Sequence, residues 1–223
     1  LEDDLSQMRL VAKGKLSISV PVSWGQQIFT SLVTDFMAKY PHIELNVQLS
    51  DEYVNVLEER FDLVLRLANQ LEDSALLCQR LASYRRVVCA APCYLEKHAV
   101  PTTTAELSQH PCLTFCRGSN PSIWQLMEGR RTQEFYPQPR LAANNSMLLR
   151  DALLAGRGIA LIPEFIVADD IRAGRLKPIL ANLQTKAINL YSLRSLTRQP
   201  PYHLQLFHDF LREKLMPVES QGT

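Results

Sequence analysis

No stretch of this chain stays apolar for the length that a membrane span requires, and its first residues, LEDDLSQMRLVAKGK, lack the apolar core of a signal peptide. A spanning helix is not expected. Neither charge is in surplus: 24 Lys and Arg stand against 23 Asp and Glu, for a net charge of +1. A domain that grips nucleic acid concentrates basic residues on one face, so this segment is not expected to hold DNA by itself. The common catalytic signatures are missing as well, with no Gly-x-Ser-x-Gly elbow and no His-Glu-x-x-His pair. The chain does not read as an enzyme, and nothing in it asks for a cofactor. Internal repeats and low-complexity runs are absent too. What remains is 223 residues of ordinary globular composition, enough for one large core or two small lobes.

Cysteine is sparse and odd in number, at Cys78, Cys89, Cys93, Cys112 and Cys116. That pattern, in apolar surroundings, fits a reducing compartment and hence the cytoplasm. Cys89 with Cys93, and Cys112 with Cys116, share a Cys-x-x-x-Cys spacing. The spacing is loose for a zinc site and no His stands with them at ligand distance, so buried thiols are expected and a metal is not.

Only eight glycines occur, which draws attention to Gly156-Arg157-Gly158. A phosphate-cradling loop follows a strand and opens a helix, so that helix N–H groups point at the anion. Here the order is reversed. Leu148, Leu149, Leu153 and Leu154 recur at near-helical spacing, Gly156 stands where a helix-ending glycine would, and Gly158 begins an apolar run closed by Pro163. The glycines are expected to stop a helix.

Periodicity supplies the remaining elements. LSISVP, residues 16–21, reads as a strand, and residues 28–40 carry one apolar stripe of Ile28, Phe29, Leu32, Val33, Phe36, Met37 and Tyr40 before Pro41 stops it. Residues 43–50 alternate, Val54, Val56 and Leu57 mark a short helix, and FDLVLRL, residues 61–67, is a further strand with Arg66 near its end. Strand, helix, strand, helix, strand signals a doubly wound, mainly parallel sheet. Two strands then flank a Ser83-Tyr84 turn, and Pro92 starts a helix. CLTFC is a strand, residues 123–137 form a hairpin turning at Glu128-Gly129, and Asn145 or Ser146 caps the helix before the glycines. A helix from Glu164 ends at Gly174, residues 187–194 form the last strand, and an amphipathic helix carries Leu204, Phe207, Phe210, Leu211 and Leu215.

Taken in order, GKLSISVP, FMAKYPHIELNVQLSD, RFDLVLRLA, RRVVCAAPCYLEKH, LSQHPCLTF, the Trp124 hairpin, LLAGRGIALIPEFIVADDIRAGRLKPIL and LFHDFLREKL resemble the effector-binding domain of LysR-type transcriptional regulators. The likeness runs from about Lys15 to Leu215. Residues 1–13 resemble the end of a linker helix from a winged helix-turn-helix domain that is not in this sequence. The resemblance implies an α/β fold of two Rossmann-like lobes, as in type 2 periplasmic binding proteins, with a ligand cleft between them. Lobe I would comprise residues 14–89 plus 193–217, lobe II residues 90–192, with 218–223 as a tail. Cys89, Ala90, Ala91, Tyr191, Ser192 and Leu193 would be hinges. A transport solute-binding protein shares that fold and is the rival reading.

Ligands of open α/β sheets gather outside the carboxyl ends of strands. The corresponding positions are Ser23 and Trp24; Arg66, Leu67 and Ala68; Gly118, Ser119 and Asn120; Asn144 and Asn145; and Pro163 and Phe165. By resemblance, Ser23 and nearby amides hold a carboxylate, the alternative being a plain helix cap. Arg66 either clasps a carboxylate or pairs with Glu52 or Asp62. Asn144 faces a polar effector or caps, and Trp124 is a hairpin anchor or a ligand platform. The implied partners are a small carboxylate effector, a second copy of the domain in a homodimer, a tetramer at full length, and promoter DNA through the missing domain only.

Overall fold

The computed structural model describes residues 12–52, 61–69, 76–118, 120–129, 131–195 and 199–215. The helix expected at Val54–Leu57, Ser119, the start before Ala12 and the tail lie outside these. The chain divides into two units, one of Leu1–Ser83 with Asn189–Thr223 and one of Tyr84–Ile188.

In the first unit, β1 (Gly14–Val20), β2 (Ile43–Leu49), β3 (Leu63–Ala68), β4 (Leu76–Tyr84) and β14 (Ile188–Ser195) form a sheet in the order β2-β1-β3-β14-β4. β1 runs parallel to β2 and β3, while β14 is antiparallel to β3. The helix after β1 starts earlier than the apolar stripe alone predicts. It consists of α1 (Val22–Trp24), a π-helical turn (Gly25–Phe29) and α2 (Thr30–Lys39). Gly25 permits this start, because a Cβ there would meet a methyl of Leu49 at 2.6 Å. The final helix, α7 (Tyr202–Leu215), closes the core. Phe36 meets Phe207 and Phe210 edge-on at 4.8 and 5.3 Å between ring centres, a geometry aromatic quadrupoles favour.

In the second unit, β5 (Arg86–Ala90), β6 (Cys112–Arg117), β10 (Pro139–Ala143), β11 (Ile159–Pro163) and β12 (Lys177–Pro178) form a sheet in the order β10-β6-β11-β5-β12, with β7 (Asn120–Pro121) paired to β6. β8 (Trp124–Glu128) and β9 (Arg131–Phe135) are the expected hairpin, joined by β13 (Gln184–Thr185). Side chains alternate across a strand, and β5 and β11 feed two apolar layers accordingly. Val88, Ala90, Ile159 and Leu161 pack with Trp124 and Leu126, with Tyr94 of α3 (Pro92–Leu95) and with Leu107 of α4 (Thr104–Leu107). On the other side Cys89, Ala160 and Ile162 pack with Leu149 and Leu153 of α5 (Ser146–Leu154) and with Ile166 and Val167 of α6 (Glu164–Arg172).

Both of these helices end on a glycine at positive φ, Gly156 at 67° and Gly174 at 69°. Gly156 N–H donates to Leu153 O and Arg157 N–H to Ala152 O; Gly174 and Arg175 repeat the pattern with Ile171 and Asp170. These are paired Schellman bonds. The Gly-x-Gly therefore terminates a helix and introduces β11, and it does not form a phosphate loop.

Two expectations need correction. The units change at Ser83/Tyr84 and Ile188/Asn189, not at 89/90 and 192/193, because β5 pairs with β11 and β12 whereas β14 pairs with β3. Cys89 and Ala90 are thus interior sheet residues of the second unit, followed by Ala91, and Tyr191, Ser192 and Leu193 lie within the first. The cysteines also differ in part from expectation. Cys89, Cys112 and Cys116 are buried, but Cys78 and Cys93 are exposed. Burial pushes the Cys89 thiol up to about 12, with the Asp170 charge adding to it, and the Cys112 thiol up to about 11, which keeps both protonated and unreactive.

Candidate functional site

In the first unit the carboxyl ends of β1, β2 and β3 bring polar groups together. Val22 N–H, at the start of α1, donates to Asp51 Oδ1 at 3.2 Å, and Ser50 N–H donates to Val20 O at 2.9 Å. Arg66 reaches across the same edge from β3, its Nη1 donating to Ser19 Oγ at 3.1 Å, to Ser50 O at 3.3 Å and to Leu65 O at 2.9 Å. Asp62, one of its expected partners, instead accepts the Ser17 N–H at 2.8 Å. Arg66 therefore ties the ends of three strands into one polar edge.

Ser23 lies on this edge and is only 6% exposed. It is not the helix cap: Pro21 holds the cap position and no side chain caps there. A proline cap leaves the first-turn amides to other acceptors, and Asp51 serves one of them. Trp24 is buried against Phe29 at 5.7 Å, so its indole belongs to the core. Leu67 and Ala68 pair with Leu190 and Asn189 as half-buried residues of β3.

In the second unit β6, β10 and β11 run parallel, so their carboxyl ends share one edge. Gly118, Asn144, Pro163 and Phe165 fall there, and Asn120 follows on β7 opposite Arg117. Gly118, at φ 56°, makes the tight turn between β6 and β7. Asn145 caps α5, its Oδ1 accepting from Met147 and Leu148 N–H at 2.9 and 3.0 Å, while Asn144 is exposed. Phe165 packs edge-on against Tyr84 at 4.9 Å. Trp124 is buried and donates Nε1–H to Thr114 Oγ1 at 3.3 Å, which makes it the hairpin anchor.

β5 is antiparallel to β11, so its first residues reach the same edge, Arg86 opposite Pro163. Arg85 forms a two-point ion pair with Glu164 at 3.0 Å for each contact. Arg86 donates Nε–H to Lys186 O at 2.8 Å, and its buried Nη2 meets no hydrogen-bond partner among the described residues. Burial pulls its guanidinium down to about 10.

Ser19, Ser50, Asp51 and Arg86 are members of these edges that the sequence reading overlooks. A Ser-Asp pair directly after an alternating strand marks the carboxyl end of that strand, and two arginines before VVCAA place one charge beside a packed face. Those signals are present but faint.

A description of protein families matches residues 11–216 to the LysR substrate binding domain. The chain is 32% identical over 219 residues to the HTH-type transcriptional regulator CrgA of Neisseria meningitidis serogroup B, covering 96% of this chain and 71% of that protein. It is 28% identical over 203 residues to the HTH-type transcriptional activator TtdR of Escherichia coli K12, covering 91% of this chain and 64% of that one. The solved structure of the CrgA regulatory domain superposes with a TM-score of 0.80 at 32% identity, covering 92% of this chain and all of that one.

Proposed function

The chain belongs to the LysR substrate-binding domain family, and from that membership we propose that it senses a small organic acid and transmits the binding event to transcription. The observation that carries this reading is the polar edge at the start of α1, where Ser23 and the first helix amides follow β1 and Arg66 bonds to Ser19 and Ser50 at the neighbouring strand ends. Helix N-termini favour anions because their N–H groups and dipole point outward. The effector's carboxylate is held by Ser23 and neighbouring amides, and its other groups meet the Asn144 and Pro163 edge across the cleft that family membership implies. Kinship with regulators, at 32% identity over most of the chain, supports this reading over the transport one.

The effector changes the lobe arrangement only by its differential affinity for the alternatives. In the proposed homodimer, the helix at residues 28–40 of one copy packs on the second lobe of its partner, and four copies assemble at full length. Exposed apolar groups at Met37 on α2 and Leu148 on α5 support such a pairing. Promoter DNA is contacted through a separate N-terminal domain, in the cytoplasm.

Thermal-shift screening against small carboxylates tests this proposal. A carboxylate is expected to stabilise the domain, and Ser23→Ala to weaken that ligand about tenfold, the effect of removing one hydrogen bond to a charged acceptor. Stabilisation by neutral sugars or bases alone would overturn the carboxylate reading, and unchanged affinity in Ser23→Ala would overturn the site.

A further inference from the structure

We propose that Arg86 is an anion-binding residue of the second unit, offering its buried Nη2 to a carboxylate or other oxyanion. Strand alternation sets its side chain on the same side as Val88 and Ala90, at the margin of the layer that holds Trp124 and Leu126. There its Nη2 is shielded from water and meets no hydrogen-bond partner among the described residues. One contact has a structural purpose: Nε–H holds the Lys186 carbonyl, and Thr185 Oγ1 donates to the Arg86 carbonyl, so together they pin the segment after β13 to β5. Nη2 is not needed for that strap. A desolvated cationic donor without an acceptor is costly, and a ligand oxygen removes the cost.

The neighbouring charges sharpen the assignment. Arg85 is already satisfied by Glu164, so that acid is engaged and that base is neutralised. Arg86 stands on the edge that also holds Pro163 and Asn144. A guanidinium fork matches the planar carboxylate better than an ammonium does. The inference deepens the effector-binding reading and rests on it for the ligand's identity as an effector, while anion binding at Arg86 stands or falls separately.

Calorimetric titration of the chain with acetate, benzoate, malonate, succinate and inorganic phosphate tests the assignment. In Arg86→Gln the affinity of the bound anion is expected to fall roughly tenfold or more, with partial recovery in Arg86→Lys, which restores charge without the fork. Side-chain ¹⁵N resonances of Arg86 in the unaltered protein should shift on titration, a readout that needs no variant to fold. Carboxylate binding that is equal in native and Arg86→Gln protein, with a silent Arg86 resonance, would overturn the assignment and leave the effector reading intact. Phosphate binding that depends on Arg86, with no response to carboxylates, would uphold the assignment and overturn the carboxylate reading. No response to any of the five anions would overturn both.

Discussion

Gly158→Ala is expected to destabilise the second unit by roughly 3 kcal/mol or more, combining an unfavourable backbone conformation with a steric clash. A Cβ at this position would lie 2.2 Å from the Pro111 carbonyl oxygen and 3.1 Å from its carbon, at a φ of 154°. The obstacle is backbone, and it cannot swing aside. The Pro111 oxygen also accepts the Ile159 N–H at 3.0 Å, so displacing it breaks the bond that brings β11 beside β6. Gly156 provides the contrast. A Cβ there meets Cys93 Sγ at 2.7 Å, and Cys93 is exposed and free to rotate, so Gly156→Ala should cost only about 1 kcal/mol from its left-handed backbone. The two tryptophans separate the units, Trp24 reporting on one and Trp124 on the other. In a Trp24→Phe background, urea unfolding followed by Trp124 fluorescence should show a much lower midpoint for Gly158→Ala. A midpoint equal to that of the parent would contradict the close approach at Pro111.

Asp170→Asn is expected to cost about 3 kcal/mol, the consequence of breaking a buried ion pair from one side. The Asp170 side chain is 1% exposed and accepts from Arg150 Nη2 at 3.0 Å and from Arg175 Nε at 2.8 Å, with a further contact to Arg150 Nε. Burial by itself would raise its carboxyl, but the hydrogen bonds from Arg150 and Arg175 and their charges outweigh it and hold the group below its ordinary value. Its backbone oxygen also accepts from Arg175 and Leu176 at the end of α6. One residue thus fastens α5 to the C-terminus of α6. The sign of the pH effect follows from the lowered carboxyl. The stabilisation is fully present above the unfolded value near 4 and is lost as pH falls through the folded one. Stability of the parent should therefore drop more steeply than that of Asp170→Asn below about pH 4. Parallel pH profiles of the two proteins would contradict the account.

Much of this architecture is legible from residue spacing. The stripe on residues 28–40, the alternation of residues 43–49, the glycine-stopped helix α5 and the Glu128-Gly129 hairpin all follow from local chemistry, and the structure has them. What spacing cannot supply is the identity of the strand partners. LLCQRLASY and RVVCA are consecutive strands, yet β4 joins the first sheet and β5 the second, and nothing in their apolar content distinguishes the two destinations. The boundary inside β5 is what the family resemblance implies, and strand pairing moves it to Ser83/Tyr84. The early helix start has a similar origin, since the space that admits Leu49 against Gly25 is created by another strand.

The same division holds for the site. Ser23, Arg66, Asn144 and Pro163 can be placed from strand ends alone. Arg66 bonding to Ser19 and Ser50, and Arg86 lying beside Pro163, depend on strand order and register. Trp24 shows the opposite error, because a residue next to a site position looks like a ligand contact until its ring is found packed on Phe29. Local sequence locates the edges, and tertiary pairing decides which side chains line them.

The most direct test of the central claim, that this regulatory domain senses a small anion, is a crystal structure of the chain with a carboxylate that raises its melting temperature. The account predicts a carboxylate within hydrogen-bond distance of Ser23 or the first amides of α1, or of Arg86 on the strand-end edge of the second unit. A ligand bound away from both strand-end edges, or one whose carboxylate faces solvent, would contradict it.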